Sequence, residues 1–240
     1  MARQAVILAA GMGTRLGRPF PKPLAELSDG QSIMDQQVSK LLKAFPGVRI
    51  MIVVGFKRDL IMEAFPDVAY AYNELYDQTN TSKSLLKALR LSDDAGVLWL
   101  NGDVVFDHRI LDRLKGRIDA ETSFVCVNTS TVAEEEVKYT VDESGYIKEL
   151  SKQVTGALGE AVGINFVGRQ DKATLIRALD AVEDQDYFER GIEVAIEESG
   201  LQVEPVDITD LFAVEVDFED DLARANELRD SGQEPAGARS

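Results

Sequence analysis

Short apolar, β-branched segments alternate along this chain with longer segments whose apolar residues recur at helical spacing. In residues 32–45, for example, Met34, Val38 and Leu41 fall on one face of a helix. Strands that alternate with helices predict a three-layer, Rossmann-like α/β fold, in which helices cover both faces of a mostly parallel, mixed sheet. The predicted strands are residues 4–10, 49–54, 68–72, 96–100, 123–128 and 161–167.

The alternation is interrupted once, in the second half of the chain. Residues 137–141 and 146–150 have the pattern of two strands around an acidic turn that contains glycine, which is a hairpin signal. We therefore predict a small antiparallel β insertion, at about residues 129–160, within one domain that covers residues 1–230. Residues 231–240 are polar, with glycine, proline and alanine, and we predict that they form a disordered tail.

Charge and composition exclude several classes of function. The formal net charge of −16 argues against non-specific binding to nucleic acid or to an anionic membrane. No apolar run approaches the roughly 20 residues that a transmembrane helix needs. Cys126 is the single cysteine and His108 the single histidine, which excludes an intramolecular disulfide and a metal site rich in these residues. We expect a soluble, cytoplasmic protein with a sizeable core.

Positive charge is concentrated at the start of this acidic chain. The first acidic residue is Glu26, and the residues before it include Arg15, Arg18 and Lys22. Because these cations stand beside two glycines, an anion-binding segment is a better interpretation than a solvated N-terminus.

A glycine turn follows the first predicted strand. Gly11 and Gly13 let the backbone turn sharply and approach a ligand closely, and exposed N–H groups in such a turn can hold an anion. In an open α/β sheet, ligands bind at this edge, where the strands have their carboxyl ends. A dinucleotide-binding fingerprint is disfavoured because Leu16 stands where the third glycine belongs, and the G-K-[ST] of a Walker loop is absent.

A lysine between two prolines follows the glycine turn. Pro21 and Pro23 fix their own φ angles and bias the preceding residues away from helix, so we predict that Lys22 lies on a stiff, extended segment that returns over the turn. Arginine offers a two-pronged fork to a phosphate, and lysine offers a point charge. Arg15 and Lys22 together can therefore hold a triphosphate and neutralise a leaving pyrophosphate.

Two aspartates follow apolar segments that have the pattern of strands. Asp103 follows the apolar segment 98–100 and the small residue Gly102, and Asp217 follows the apolar segment 213–216. Position alone leaves two interpretations open for each aspartate, a turn or helix cap and a ligand-facing carboxylate. Two carboxylates that meet at one edge would suit Mg²⁺, which prefers oxygen ligands.

Residues 8–24 contain two adjacent motifs, L-A-A-G-x-G-[ST]-R and P-K-P-L. The matching residues are Leu8, Ala9, Ala10, Gly11, Gly13, Thr14, Arg15, Pro21, Lys22, Pro23 and Leu24. This stretch resembles the opening of nucleotidyltransferases that make nucleoside-diphosphate sugars and alcohols. The short spacer between Arg15 and Lys22 resembles the small-alcohol-phosphate branch, the phosphocholine and inositol-phosphate cytidylyltransferases, as much as the hexose branch. The resemblance implies a fold of the nucleotide-diphospho-sugar transferase type.

The resemblance also implies roles for individual residues. It gives catalytic roles to Arg15, Lys22 and Asp103, and it makes Asp103 and Asp217 the ligands of a Mg²⁺ cofactor. A second loop, before the predicted helix 83–91, resembles the family's contact with the base and ribose, although helix capping is an alternative. The implied nucleotide-binding residues are Leu8, Ala9, Ala10, Gly11, Gly13, Thr14, Arg15, Lys22, Thr79, Asn80, Ser84 and Gly102.

Four residues further along the chain resemble the acceptor side of the same family. Lys152 stands in an S-K pair after the predicted hairpin, Glu160 in a G-E-x-x-G-I-like stretch, and Tyr187 and Glu189 in a Y-Y-E-like triplet. An ordinary surface lysine is an equal alternative for Lys152. A quaternary ammonium acceptor would need an aromatic cage, and acidic residues would suit a cation or sugar hydroxyls, so the sequence leaves the acceptor open.

The leading hypothesis is Mg²⁺-dependent transfer of a nucleotidyl group from a nucleoside triphosphate, in the first place CTP, to a small phosphate monoester such as phosphocholine or an inositol phosphate. A hexose-1-phosphate nucleotidyltransferase using UTP, dTTP or GTP is the close rival, and a non-catalytic nucleotide-binding regulatory homologue is the alternative of another class. The expected partners are the triphosphate and the phosphorylated acceptor, with no nucleic acid and no membrane. The sequence leaves the oligomeric state open, with a homodimer as one arrangement.

Overall fold

The computed structural model describes residues 4–130, 132 and 136–231, and it has an α/β architecture. Each of the six predicted strands is present, with ends that differ from the prediction by two residues at most. The strands are β1 (Gln4–Ala9), β2 (Arg49–Val54), β3 (Ala69–Tyr72), β4 (Val97–Asn101), β5 (Val104–Phe106), β6 (Phe124–Asn128), β7 (Lys138–Val141), β8 (Ile147–Ser151), β9 (Gly159–Val167), β10 (Glu204–Asp207) and β11 (Ala213–Glu215). The helices are α1 (Ile33–Ala44), α2 (Arg58–Ala64), α3 (Thr81–Leu91), α4 (Arg109–Asp119), α5 (Arg169–Ala181), α6 (Phe188–Ser199) and α7 (Glu219–Ser231).

The main sheet has the strand order β10-β6-β9-β4-β1-β2-β3, which confirms the mostly parallel, mixed sheet. β1 lies between β2 and β4 and is parallel to both. β9 enters between β4 and β6 and is antiparallel to both of these neighbours. Because β1 and β4 are parallel neighbours, the segments that follow them leave the same edge of the sheet.

Helices cover both faces of the sheet, as predicted. On one face, Ile7 of β1 belongs to a core with Met34 of α1 and Leu111 of α4. On the other face, Val6 of β1 belongs to a core with Leu85 of α3. Successive residues of a strand point to opposite faces, so one fully buried strand supplies both cores. α5 and α6 complete the second face.

The predicted hairpin is formed by β7 and β8. β7 also pairs with the start of β9, which joins the hairpin to the main sheet. The hairpin is fixed to α6 as well, because the backbone N–H of Leu150 donates to a carboxylate oxygen of Glu193 at 2.8 Å. The hairpin and α6 therefore border the same region beside the edge of the sheet.

A second, two-stranded sheet of β5 and β11 was not predicted as a pair. β11 runs antiparallel to β5, with Val214 opposite Val105. These strands pack with α7 in a third apolar core that also holds Leu16, from the segment after the glycine turn. This packing brings residue 217 to the start of the chain, although about 200 residues separate the two in sequence.

None of the helices in the described part of the chain is long and apolar enough to span a membrane. The predicted tail, residues 231–240, lies outside the described residues apart from Ser231, which ends α7.

Candidate functional site

The glycine turn follows β1 at the carboxyl edge of the sheet. Gly13 has a φ of +57°, in the left-handed region, and a Cβ there would lie 3.0 Å from the Cβ of Lys22. Around Gly11 there is open space, with no atom within 4 Å of where a Cβ would stand. Gly13 therefore lets the lysine segment pack against the turn, and Gly11 leaves room beside the backbone.

Lys22 begins a single turn of 3-10 helix, Lys22–Leu24, and this corrects the predicted extended segment. The extended conformation ends at Pro21, whose ψ is 134°. The N–H groups of Leu24 and Ala25 donate to the carbonyl oxygens of Pro21 and Lys22 at 2.9 Å each. Pro23 fits the first turn of a helix because that position needs no N–H donor. The local preference for extended backbone before a proline is overcome by these two hydrogen bonds.

Four side chains form an ion-paired group, here called the paired cluster: Arg15, Lys22, Asp103 and Asp217. The Lys22 ammonium donates to Asp103 Oδ2 at 2.7 Å and to Asp217 Oδ1 at 2.6 Å. Arg15 donates to Asp217 Oδ2 at 2.9 Å. The structure thus brings together the four side chains for which the resemblance implies catalytic and metal-binding roles.

The paired cluster keeps its charges. Burial lowers the pKa of Lys22, but the carboxylates of Asp103 and Asp217 outweigh burial and raise that pKa above its usual value. Burial raises the pKa of Asp217, but Lys22 and Arg15 outweigh it and hold that pKa below its usual value. Lys22 and Asp217 are therefore ionised at neutral pH.

Asp103 has a free ligand position. Its Oδ1 is buried and has no hydrogen-bond partner, while its Oδ2 accepts from Lys22. Gly102 lets the segment that carries Asp103 pack closely against β1, since a Cβ at residue 102 would lie 2.7 Å from the carbonyl oxygen of Leu8. The carboxylate of Asp217 accepts from Lys22 and Arg15, and no described hydrogen bond joins it to the first N–H groups of α7. The capping alternative for Asp217 is therefore wrong.

The two aspartates fit a Mg²⁺ ion. Among the described residues, no three acidic, histidine or cysteine side chains gather in a way that could hold a metal. Mg²⁺ bound with a nucleotide needs only one or two carboxylates, together with phosphate oxygens and water. The unpartnered oxygen of Asp103 and the carboxylate of Asp217 match that donor set.

A cavity of about 240 Å³ opens beside the paired cluster. It is several times larger than the roughly 30 Å³ that one water occupies in the liquid, so it suits a small molecule. The predicted residues that line it are Leu8, Ala9, Gly11, Gly13, Arg15, Lys22, Gly102, Asp103, Lys152, Tyr187, Glu189 and Asp217. The side chain of Thr14 lies outside the described part of the structure.

Three glutamates line the same cavity and are here called the acidic cluster: Glu136, Glu189 and Glu215. Burial raises the pKa of Glu189 to about 7. Burial also raises the pKa of Glu215, and the nearby carboxylates of Asp103 and Glu136 add to this effect. Burial raises the pKa of Glu136 in the same direction. Lys152 offsets part of this effect for Glu136 and Glu189, but none of the described ion pairs includes a residue of the acidic cluster.

Lys152 and Tyr187 also line the cavity. The Lys152 ammonium lies over the Tyr187 ring, 5.2 Å from its centroid. Glu160 stands beside them in β9, opposite Asn128 and Lys138, but it does not line the cavity, whereas the next residue, Ala161, does.

Three predicted nucleotide-binding residues make bonds within the chain. Asn73 donates through its Nδ2 to the hydroxyl oxygens of Thr79 at 3.0 Å and Ser84 at 3.1 Å. Asn80 caps α3 by accepting from the N–H of Thr81 at 2.8 Å. Thr81 lines the cavity and the three predicted residues do not, nor does Ala10, so their contact with a nucleotide stays a prediction.

Several lining residues were missed by sequence reasoning. Glu215 carried a usable signal, because strand alternation places it on the same side as Asp217. Glu136 and Asn101 carried none, since they match no motif. The missed lining residues are Pro23, Thr81, Asn101, Glu136, Val137, Ala161, Phe188 and Glu215.

Solved structures are similar to this chain over most of its length. It superimposes on the inositol-1-phosphate CTP transferase from T. maritima with a TM-score of 0.79 and 18% identity, covering 99% of this chain and 98% of that one. This likeness confirms the nucleotide-diphospho-sugar transferase type of α/β fold.

Two curated relatives share more sequence over part of their length. The CMP-5'-(3-aminopropyl)phosphonate synthase of Streptomyces rubellomurinus is 28% identical over 245 residues, which cover 93% of this chain and 38% of that protein. The bifunctional protein GlmU of Koribacter versatilis is 37% identical over 101 residues, which cover 41% of this chain and 21% of that protein. The chain thus spans less than half the length of either relative.

A family model supplies the assignment that these partial matches leave open. The model of the MobA-like NTP transferase domain matches residues 5–186, a range that contains the glycine turn, Lys22, Asp103 and Lys152. Together with the fold and the geometry of the site, this match shows that the chain belongs to the MobA-like NTP transferase family of nucleotidyltransferases.

Proposed function

We propose that this protein transfers a nucleotidyl group from a nucleoside triphosphate, in the first place CTP, to a small phosphate monoester or phosphonate, with Mg²⁺ and with release of pyrophosphate. The observation that carries the proposal is the paired cluster beside the glycine turn. Its two cations and two carboxylates line the cavity that a triphosphate would enter, and this supports the proposal. Catalysis of phosphoryl transfer consists largely of such positioning and charge stabilisation.

In the proposed reaction, an oxygen of the acceptor phosphate attacks the α-phosphorus of the triphosphate in line. A new phosphorus–oxygen bond forms, the bond to the β-phosphate oxygen breaks, and pyrophosphate leaves with the electron pair. The attacking oxygen is already anionic, because the second pKa of a phosphate monoester is about 6. No side chain is needed as a general base, which agrees with a cavity that holds no histidine among its described lining residues.

The residues of the chain bind and orient the reactants. Arg15 can fork across phosphate oxygens, and Lys22 can offset the negative charge of the leaving pyrophosphate. Asp103 and Asp217 hold the Mg²⁺ ion, which, when bound, supplies Lewis-acid stabilisation of the phosphate charges. Lys22 then exchanges part of its contact with the aspartates for contact with the triphosphate.

Two of the relatives support CTP as the donor. One is named for a CMP-linked product and the other for CTP, whereas their acceptors differ, an aminoalkyl phosphonate in one and inositol 1-phosphate in the other. GlmU is similar over 41% of this chain, and it keeps a sugar-phosphate reaction as the second candidate.

The test is pyrophosphate release over a matrix of CTP, UTP, GTP, ATP and dTTP against a panel of phosphate monoesters and phosphonates, with and without Mg²⁺. We expect release with CTP and a small acceptor, and its loss when EDTA removes the metal. Release only with a hexose 1-phosphate would favour the second candidate. Nucleotide binding without release from any pair would overturn the proposal in favour of a regulatory protein.

A further inference from the structure

We infer that the acceptor carries a primary ammonium group opposite its phosphate, and that Glu189 of the acidic cluster, with Glu136, binds this group. The inference rests on the proposed function and names the class of acceptor that the same cavity takes. It implies aminoalkyl phosphates or aminoalkyl phosphonates in place of neutral polyol phosphates or quaternary ammonium compounds.

The first argument is the charge distribution along the cavity. Its described lining residues carry five carboxylates and three cations. Arg15 and Lys22 are paired with aspartates. Lys152 is thus left as the cation near Glu136 and Glu189, and its ammonium lies over the Tyr187 ring. The acidic cluster is therefore short of positive charge, and a ligand that brings a cation corrects the deficit.

The second argument is an unpartnered oxygen on a buried side chain. Glu189 is 8% exposed, lines the cavity, and has a buried Oε2 without a hydrogen-bond partner. Buried polar atoms in native proteins are nearly always hydrogen-bonded, and a buried carboxylate without donors is costly. The raised pKa of Glu189, about 7, has the same origin. A donor that is also a cation satisfies the oxygen and its charge together.

A quaternary ammonium fits the acidic cluster less well. Such a group has no N–H and binds best over free aromatic faces. The Tyr187 ring already has the Lys152 ammonium over it. The Phe188 ring packs edge-on against Trp99 at 5.6 Å between centroids and lies within the core. A primary ammonium offers three N–H donors, and these match carboxylate oxygens directly.

A neutral hydroxyl also fits less well. It can donate one hydrogen bond to Glu189, but it brings no positive charge to stabilise the ionised form of this carboxyl group. Hydrogen bonds between ions are roughly twice as strong as those between neutral groups, so the ammonium gains more in this cavity.

The test compares 2-aminoethyl phosphate with 2-hydroxyethyl phosphate, which have nearly the same size and differ in the terminal group. Phosphocholine adds the quaternary case, and 2-aminoethylphosphonate separates phosphonate from phosphate acceptors. We expect kcat/KM for the amine to exceed that for the alcohol by about 10- to 100-fold, the range of a hydrogen bond to a charged group. The choice between phosphate and phosphonate does not bear on the ammonium site.

Glu189→Gln then assigns the effect to the residue, because it keeps the shape and removes the charge. We expect the preference for the amine over the alcohol to fall to about 3-fold or less, with KM for CTP unchanged. Glu198→Gln is the matched control, since Glu198 is exposed on the same helix and lies outside the cavity. A merely structural role of Glu189 would lower both acceptors equally and leave their ratio intact, which would overturn the assignment.

Binding distinguishes failure of the inference from failure of the proposed function. Calorimetry with Mg²⁺ and a CTP analogue that cannot be cleaved between its α- and β-phosphates measures acceptor affinity without turnover. Equal affinity for the amine and the alcohol, or tighter binding of phosphocholine, overturns the inference even if pyrophosphate is released. Tighter binding of the amine with no release from any nucleotide supports the site and overturns the proposed reaction.

Discussion

The paired cluster and the acidic cluster, which line the same cavity, differ in how their charges are balanced. In the paired cluster, Lys22 donates to both Asp103 and Asp217, so its charges have partners within the chain. In the acidic cluster, the buried Oε2 of Glu189 has no partner, and burial raises the pKa of this residue to about 7. A set of charges that is paired before a ligand arrives is preorganised for its reaction, whereas an unpaired buried charge is completed by the ligand. In the proposed reaction, the paired cluster serves the triphosphate and the acidic cluster selects the acceptor.

The largest expected effect comes from Lys22→Ala, which breaks the ion pairs of the paired cluster. Removal of one preorganised charge stabiliser typically costs about 10²- to 10³-fold in turnover, and we expect a loss of that size. The measurement is pyrophosphate release at saturating CTP and acceptor.

The same variant also tests the charge balance without turnover. Loss of the ammonium leaves Asp103 and Asp217 without their common cation, so we expect Mg²⁺ to raise the Tm of the variant more than that of the wild type. An equal Mg²⁺ shift in both proteins would contradict the pairing as the element that Mg²⁺ must displace.

The next largest effect is expected for Asp103→Asn, which keeps the shape of the side chain and removes its charge. Loss of a metal-binding carboxylate should lower kcat/KM by about 100-fold, with partial recovery as Mg²⁺ is raised. Asp112→Asn, an exposed position on α4, is the matched control and should leave kcat/KM within error. Activity of Asp103→Asn near that of the control would remove Asp103 from the site.

A smaller effect, on stability, is expected for Glu189→Gln. The folded protein holds a proton on Glu189 up to about pH 7, whereas the unfolded chain releases it near the ordinary value of 4.5. Between these values the folded state binds more protons, so this residue lowers stability as pH rises from 4.5 to about 7, and the loss persists above that range.

Glutamine at residue 189 removes this loss. We expect the variant to exceed the wild type in Tm by about 2–4 °C at pH 8, the shift that about 1 kcal/mol produces in a chain of this size, and by less at pH 5. Thermal unfolding at both pH values measures it. A difference that is the same at pH 5 and pH 8 would show that the charge of Glu189 does not cause it.

The smallest effect is expected for Arg18→Ala. Arg18 belongs to the same cationic segment as Arg15, but its guanidinium forms a two-pronged pair with Glu219 at the surface and does not line the cavity. A surface pair of this kind is worth about 0–1 kcal/mol, so activity should stay within about two-fold of the wild type. A large loss of activity would show that Arg18 acts with the paired cluster as a third cation, and would contradict its assignment as a surface residue.

Much of the paired cluster and of the glycine turn could be predicted from the sequence, because their residues lie in local motifs. The strand–turn–cation order around Gly11, Gly13 and Lys22 fixes a conformation over a few residues, and the glycine turn forms at the expected edge. The meeting of Asp103 with Asp217 was predictable only through the family resemblance. Their contact depends on the pairing of β5 with β11, which no local pattern announces.

The acidic cluster could not be predicted from the sequence to the same extent, for a physical reason. Its side chains come from a hairpin, a helix and a strand that meet only in the folded protein. Burial, which sets the pKa of Glu189, is a property of packing and has no signature in a single position. Thr79, before α3, and Ser84, in its first turn, show that a motif match does not by itself define a ligand contact. Both match the family motif, but their hydroxyl oxygens accept hydrogen bonds from Asn73 within the chain.

The bond between Glu193 and the backbone N–H of Leu150 has a consequence for how such enzymes diversify. It ties the hairpin that carries Lys152 to the helix that carries Glu189. These elements can shift and mutate as a unit while the glycine turn and the paired cluster stay in place. We therefore expect a change of acceptor to need matched substitutions in the hairpin and in α6, with the paired cluster left unchanged.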